Sequence, residues 1–481
     1  MKNFKELIFD QSYINGQWVA GGTDKFKVMN PADGTLVSTV YDGDILLVND
    51  AIDSAHQALG AWKALSAKER STIMYRWYEL LIKNKEPLAI LMTLECGKPL
   101  SESRGEVEYG ASFIQWFAEE AKRANGDIIP GFTADRRVMV IKQPIGVVGV
   151  ITPWNFPLAM ITRKLGPALA VGCTVVVRPS EETPLSALAM VALADQAGFP
   201  AGVINVVVGT HAAETGKILC ESALVSKISF TGSTRVGQIL SNQSVSTLKK
   251  LSLELGGNAP FIVFEDADID AAVKGAVAGK FRFSGQTCVC VNRILIHEQI
   301  YDTFVERFVQ AVSELKVGNG LDVGVNFGPL INKKAIERNE KLVADAVAKG
   351  GKVLLGGKKQ NEYFFLPTVI GDATADMEFA KEEIFGPIAP LFKFKNDEEA
   401  IQMANDTIYG LASYFYTKDL TRSWKVSEAL EYGIVGINEG IISSESVPFG
   451  GVKYSGSGRE GSHYGIDDYV ELKYICVGNI K

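Results

Sequence analysis

The sequence predicts an α/β protein built on open parallel sheets. Three observations carry that prediction. The strand-like run VVGVI (Val147–Ile151) opens a regular alternation of strand and helix patterns, and a second alternation begins near Asn258. The chain is also long enough, at 481 residues with 47% hydrophobic and 22% charged, for two or three domains with substantial cores. Strands separated by helices must cross over and pair in parallel. Ligands of such sheets sit beyond the carboxyl ends of the strands.

In chain order, YINGQWV (Tyr13–Val19) sets Asn15-Gly16 between short aromatic and β-branched runs, a hairpin signal. Apolar residues at three- and four-residue spacing make the region from Leu46 to Leu91 helical. After the strand VVGVI come the helix LAMITRKLGPALAVG, ending at Gly172, and the strand TVVVR. The helix LSALAMVALADQAG, the strand VINVVV, a helix from Ala213 to Glu221 and the strand KISF complete the first region. The second region runs from Asn258 past Phe385 to Gly456, with the strand ILIHE, the helix YDTFVERFVQAVSEL and the strand KVLLGG. The charged stretch from Glu119 to Arg137 and the C-terminal YVELKYICVG fall outside both patterns.

A net charge of −7 argues against nucleic acid or anionic membrane surfaces as main partners. The N-terminal MKNFKELIFD has no apolar run of signal-peptide length, and no stretch of about 18 apolar residues suggests a membrane span. A cytoplasmic protein is expected. Six cysteines are too few for a disulfide framework, and Cys96, Cys173, Cys220 and Cys476 read as small buried hydrophobes. The four histidines form no HExxH and join no CxxC, so no metal site is expected.

Four segments could carry chemistry. In TPWNFP (Thr152–Pro157) two prolines stiffen a loop at a strand's carboxyl end, and Asn155 offers an amide that could hold an oxyanion or simply satisfy its own turn. TGSTRVGQ (Thr231–Gln238) follows KISF and opens a helix. Its backbone N–H groups suit a diphosphate, although many such turns are only helix caps. Glu254 lies in the apolar LSLELGGN, where desolvation would raise its pKa towards that of a usable base, or where it pairs a buried cation. In FRFSGQTCVCVNR (Phe281–Arg293), Cys288 follows a glycine turn. A lone thiol there serves packing more often than nucleophilic attack.

Together, PWNFP, FTGSTRVG, LELGGN, GQTC, EEIFGP (Glu382–Pro387) and PFGGVKYSGSGRE (Pro448–Glu460) resemble the aldehyde dehydrogenase superfamily over essentially the whole chain, with Glu254 and Cys288 34 positions apart as the family's base and nucleophile are. The resemblance implies that Cys288 attacks an aldehyde, that Asn155 and the Cys288 backbone N–H hold the oxyanion, and that Glu254 activates the water that hydrolyses a thioester. It implies a cleft for NAD, with NADP also admissible, formed by Thr152, Pro153, Trp154, Arg178, Ser180, Glu181, Gly209, Gly232, Ser233, Val236, Gly237, Leu255, Glu383 and Phe385. Glu181 favours NAD by accepting from ribose hydroxyls, while Arg178, where the family usually has lysine, could grip a 2′-phosphate. It also implies three parts: a split dinucleotide-binding domain (1–121 and 145–256), a catalytic domain (257–456), and a small β bridging or oligomerisation element (122–144 and 457–481) that builds dimers or tetramers.

Within the superfamily the chain most resembles succinate-semialdehyde dehydrogenases. Arg163, eight positions after Asn155, Arg282, six before Cys288, and Ser443, first of the pair Ser443-Ser444, match residues that hold the substrate's far carboxylate. A short oxo acid needs its anion clamped so that its aldehyde carbon falls on the sulfur. Positive charge nearby should also favour the thiolate. The alternative for each arginine is an internal ion pair. Trp116, Phe117 and Phe449 resemble the aromatic lining of the family's substrate tunnel. Other small aldehydes, such as glutarate semialdehyde or lactaldehyde, and a catalytically silent relative are the competing readings. Phe283 departs from the family's usual asparagine, which affects the hydrogen bonding of the nucleophile loop. Cys290, two residues from Cys288, could form a disulfide with it, as in some members of the subfamily.

Overall fold

The computed structural model describes residues 3–43 and 45–480. The first alternation forms an eight-stranded sheet, in spatial order Gly456–Ser457, Lys250–Glu254, Val225–Thr231, Val147–Ile151, Thr174–Arg178, Ile204–Val206, Ser12–Ile14 and Gln17–Val19. The five strands between Lys250 and Ile204 in that order are parallel. Val147–Ile151 and Thr174–Arg178 are buried along their whole length, which is why their sequences are continuous apolar runs rather than alternations. The chain steps outward from Val147–Ile151 to Ile204–Val206, then returns to lay Val225–Thr231 on the other side. Strand order therefore reverses between Val147–Ile151 and Val225–Thr231, and the crevice beyond their carboxyl ends is the natural ligand site.

The long helical region is three helices, Ile45–Ala64, Ala67–Lys83 and Lys85–Cys96. Ser66 makes the first break: its hydroxyl accepts the Glu69 N–H while the Glu69 carboxylate accepts the Ser66 N–H, a capping box. A fourth helix, Leu100–Glu120, packs on the buried helix Ala159–Val171.

The second alternation forms a seven-stranded sheet in the order Lys352–Leu355, Thr368–Gly371, Ile388–Phe394, Val291–His297, Ala259–Val263, Ala412–Tyr416 and Ile434–Ile437. Lys352–Leu355 pairs antiparallel at one edge and the other pairings are parallel. The two segments outside the repeating patterns find each other: Val470–Val477, Arg137–Pro144 and Asp127–Ile129 make a three-stranded antiparallel sheet. Cys476 corrects one expectation. It is exposed rather than buried, because it stands on this thin sheet, whereas Cys96, Cys173 and Cys220 are buried as expected. Among the described residues no helix is long and apolar enough to cross a membrane, and no cluster could hold a metal ion.

Candidate active site

The strand Lys250–Glu254 is the last of the first sheet's parallel strands, and after Leu255–Asn258 the chain enters Ala259–Val263 of the second. Cys288 lies just before Val291–His297, so carboxyl ends of the first sheet oppose amino ends of the second. Two cavities meet at Cys288. One, of about 230 Å³, is lined by Pro153, Trp154, Asn155, Thr231, Gly232, Ser233, Leu255, Glu383 and Phe385. The other, of about 270 Å³, is lined by Lys98, Glu102, Tyr109, Arg163, Arg282, Ser443 and Phe449.

The turn that presents Cys288 is tightly wound. Phe283, Ser284 and Gly285 take successive left-handed conformations, at φ of 47°, 55° and 75°. A Cβ on Gly285 would fall 2.2 Å from the Gly386 carbonyl oxygen, so only glycine fits. Asparagine tolerates a left-handed conformation far better than phenylalanine, which gives Phe283 its physical meaning. Its ring is fully buried, edge-on to Trp154 and Phe156 with centroids 5.9 and 6.3 Å away, and its N–H donates to Glu102 Oε2 at 2.9 Å.

Burial pushes the Cys288 thiol up to about 12; Arg163 and Arg282 pull it down, while Glu254 and Glu383 push it further up. The arginines do favour the thiolate, as expected, but desolvation outweighs them and the net shift is upward. Asn155 is buried, and its Nδ2 donates to the Gln286 carbonyl oxygen at 3.0 Å, in the same turn as Cys288. Glu254 lines neither cavity but lies near enough to raise the thiol. Its own carboxyl is buried with Oε2 unpartnered, and burial, helped by Glu460, raises its pKa well above the ordinary value against Arg163, Lys164 and Arg459.

In the larger cavity Arg282 is half-buried, its guanidinium 5.7 Å from the Phe156 ring, with neither ion pair nor hydrogen bond among the described residues. Arg163 forms the internal ion pair and also faces the cavity. Its Nε lies 2.9 Å from Glu460 Oε2, yet Nη2 has no hydrogen-bond partner and the residue lines the cavity, stacked 4.0 Å over Phe449. Ser443 lines the wall, whereas Ser444 turns to Glu445. Trp116 does not reach the cavity and packs against the first core; Tyr109, two turns earlier on the same helix, stands there instead. Lys98, Glu102, Glu106 and Tyr109 escaped the sequence reading. Their signal was an i, i+4 recurrence of charge, Lys98, Glu102, Glu106, in a segment whose other residues on that side are apolar or small.

Ser233 is the N-cap of helix Thr234–Ser244, accepting the Val236 N–H at 3.4 Å, and it also borders the smaller cavity. Arg178 ends the strand next to Val147–Ile151 and pairs with Glu181 at 2.6 Å, with the Gly209 carbonyl 3.4 Å away; the Ser180 hydroxyl accepts the Glu182 N–H. Gly237 lies against Leu255, where a Cβ would meet the leucine at 2.6 Å. The buried hydroxyls of Thr152 and Thr231 lack partners at the strand ends that flank the crevice. Burial raises Glu383 to about 7, and its carboxylate accepts the Gly257 N–H at 3.1 Å. This crevice, with orphaned hydroxyls and a close-packed glycine turn, fits a dinucleotide. Cys290 is buried and unbridged, with its sulfur 3.4 Å from Lys280 Nζ, and it lines neither cavity.

The family model described as the aldehyde dehydrogenase family matches residues 18–475. The mitochondrial succinate-semialdehyde dehydrogenase of Oryza sativa is 58% identical over 478 residues, covering 99% of this chain and 90% of that protein. The glutarate-semialdehyde dehydrogenase of Pseudomonas putida is 56% identical, covering 98% of both chains, and the NADP(+) succinate-semialdehyde dehydrogenase GabD of Escherichia coli is 56% identical, covering 99% of both. The crystal structure of succinate-semialdehyde dehydrogenase from Burkholderia pseudomallei superposes with a TM-score of 0.97 at 54% identity, covering 98% of both chains.

Proposed function

Because the chain belongs to the aldehyde dehydrogenase family, we propose that it oxidises succinate semialdehyde to succinate with NAD or NADP. The observation that carries the substrate is Arg282: an unpaired guanidinium in the cavity that ends at the Cys288 sulfur, with the free Nη2 of Arg163 and Ser443 in the same wall. Two guanidinium groups and a hydroxyl lining one cavity suit a carboxylate.

The Cys288 sulfur, partly exposed, gives up its thiol proton to solvent as it adds to the aldehyde carbon, and the second N–H of the Asn155 amide, together with the Cys288 backbone N–H, holds the oxygen that becomes anionic. A nicotinamide in the neighbouring cavity, when bound, supplies the acceptor for the aldehyde hydride. Pro153, Trp154, Gly232, Ser233, Leu255, Glu383 and Phe385 would hold the cofactor, with Thr152, Val236 and Gly237 around the turn and Arg178, Ser180, Glu181 and Gly209 at the adenosine end. The Arg178–Glu181 pair leaves a carboxylate for ribose hydroxyls and an arginine for a 2′-phosphate, so both cofactors are accommodated. Glu254, unpartnered and easily protonated, takes the proton of the water that cleaves the Cys288 thioester.

The reading keeps the three-part division of a split dinucleotide domain, a catalytic domain and a bridging sheet, assembled as a homodimer or homotetramer. Six unbridged cysteines support a reducing compartment, the cytoplasm. Glutarate semialdehyde is the second reading, favoured by the Pseudomonas relative, since one further methylene demands only a small change in cavity length.

The test is a panel of succinate semialdehyde, glutarate semialdehyde and neutral aldehydes of equal length, with NAD and NADP separately, on the parent and Arg282→Ala. The parent should prefer the carboxylate-bearing aldehydes, and the substitution should erase roughly 30-fold or more of that preference in kcat/KM. An unchanged preference refutes the arginine clamp.

A further inference from the structure

Lys98 belongs to none of the roles above, yet it is fully enclosed, with a side chain 1% exposed. It sits just before the helix Leu100–Glu120. Its Nζ donates to the backbone carbonyl oxygen of Asn155 at 2.9 Å. The same Nζ pairs with Glu106 Oε2, and the other oxygen of Glu106 accepts the N–H groups of Leu158 and Ala159 at 3.0 and 3.2 Å. These N–H groups open the helix that carries Arg163, and the helix has no other side-chain cap. The ammonium also stands 4.1 Å from the Phe156 ring and 4.5 Å from the ring of Phe283, in the turn before Cys288.

We propose that Lys98 is a positioning residue, fixing the Asn155 peptide so that the amide of Asn155 points its free N–H at the oxygen of the substrate. The proposal rests on the aldehyde-oxidising reading of the same site. Asn155 is gripped at two points: its backbone carbonyl by Lys98, its Nδ2 by the Gln286 carbonyl. With both fixed, the remaining N–H has one direction. Removing the first grip lets the peptide plane rotate, and the donor then swings relative to the sulfur. A misplacement of about 1 Å in such a group costs about 100-fold in rate. Because Glu106 neutralises the ammonium, Lys98 is the wrong group to hold a substrate carboxylate. Its effect should therefore fall on kcat and not on the preference for charged aldehydes.

Lys98→Met alone would strand the Glu106 charge in the interior, where a lone carboxylate is costly. The decisive variant is therefore Lys98→Met combined with Glu106→Gln. Glutamine keeps an oxygen for the Leu158 and Ala159 N–H groups, so the helix start survives, and the tie to Asn155 is lost together with the ammonium's contacts to the Phe156 and Phe283 rings. Steady-state and single-turnover rates are measured on the parent, this double variant, Glu106→Gln and Lys98→Arg, using whichever aldehyde the parent oxidises best. Failure of the parent on succinate semialdehyde thus bears on the substrate reading and leaves this test intact.

The double variant should lose roughly 30-fold or more in kcat and in the single-turnover NADH burst, with KM within about threefold. Lys98→Arg should recover most of the loss, and Glu106→Gln should lose less than the double variant. A rise in KM confined to carboxylate-bearing aldehydes, with kcat intact, overturns the proposal in favour of substrate contact. A lower melting temperature with kcat and burst unchanged overturns it in favour of a purely structural role. Should the double variant not fold, a Lys98→Arg burst equal to that of an Asn155→Ala enzyme also refutes it.

Discussion

At Glu254, chemistry and stability pull in opposite directions. Its unfolded-state pKa is the ordinary 4.5, while burial holds the folded value well above it. Between these values the folded chain retains a proton that the unfolded chain has released. Stability therefore falls as pH rises through that window, and no such loss operates below pH 4.5. Glu254→Gln has no proton to lose. Its melting temperature should match the parent's near pH 4.5 and exceed it by roughly 2 °C or more at pH 8, while turnover falls about 100-fold or more and the first burst of NADH persists. An equal or lower melting temperature at pH 8 would show that the parent's carboxylate is not destabilised by its surroundings. The sequence exposed the apolar neighbours of this glutamate, so the direction of its shift was legible. For Cys288 the arginines were legible too, but the extent of burial was not, and burial decides the sign.

The turn from Arg282 to Gly285 shows where an element's sequence stops being readable. Gly285 signals a tight approach, and the structure meets it with a carbonyl 2.2 Å from the missing Cβ. Phe283 gives the opposite signal. A bulky residue in a left-handed conformation costs about 1–2 kcal/mol, whereas truncating a buried phenylalanine costs about 3–5 kcal/mol. Packing against Trp154, Phe156 and Lys98 thus outweighs the backbone strain. Phe283→Asn should relax the turn and still lower unfolding free energy by about 2 kcal/mol, read from urea denaturation; a neutral or stabilising result would mean that strain dominates. The helix Leu100–Glu120 teaches a related lesson. Tyr109 and Trp116 are seven residues apart and share a face, about 10 Å from each other along the axis. Periodicity fixes the face but not the depth, so the aromatic that reaches the cavity could not be chosen from sequence. Strands fared better: Val147–Ile151 and Thr174–Arg178 have the bounds read from VVGVI and TVVVR.

At the scale of the whole molecule, the three-stranded sheet is the part whose sequence and surroundings disagree. Cross-strand pairing puts Ile475, Met139 and Ile128 side by side on one face, with Lys473 opposite Ile141. On the other face, Tyr474 lies opposite Val140, and Leu472 opposite Lys142. Ile128 is 86% exposed and Leu472 68% exposed, so apolar groups line both faces with little of the chain covering them. A small sheet with two wet apolar faces is not a stable end state, whereas the same sheet clasped by another copy buries both. That is the physical ground for the proposed homo-oligomer. Ile128→Asp and Leu472→Asp, one on each face, place a charge where the partner would pack. Sedimentation velocity should show the parent as a dimer or tetramer of the 52.1 kDa chain, and the double variant shifted to smaller species with kcat per site changed less than the assembly. A parent that sediments as a monomer, or a variant assembly as stable as the parent's, would remove the sheet from the interface. Neither Ile128 nor Leu472 lines either of the cavities that meet at Cys288. Loss of assembly with activity retained would therefore separate the bridging role of the small sheet from the chemistry at Cys288.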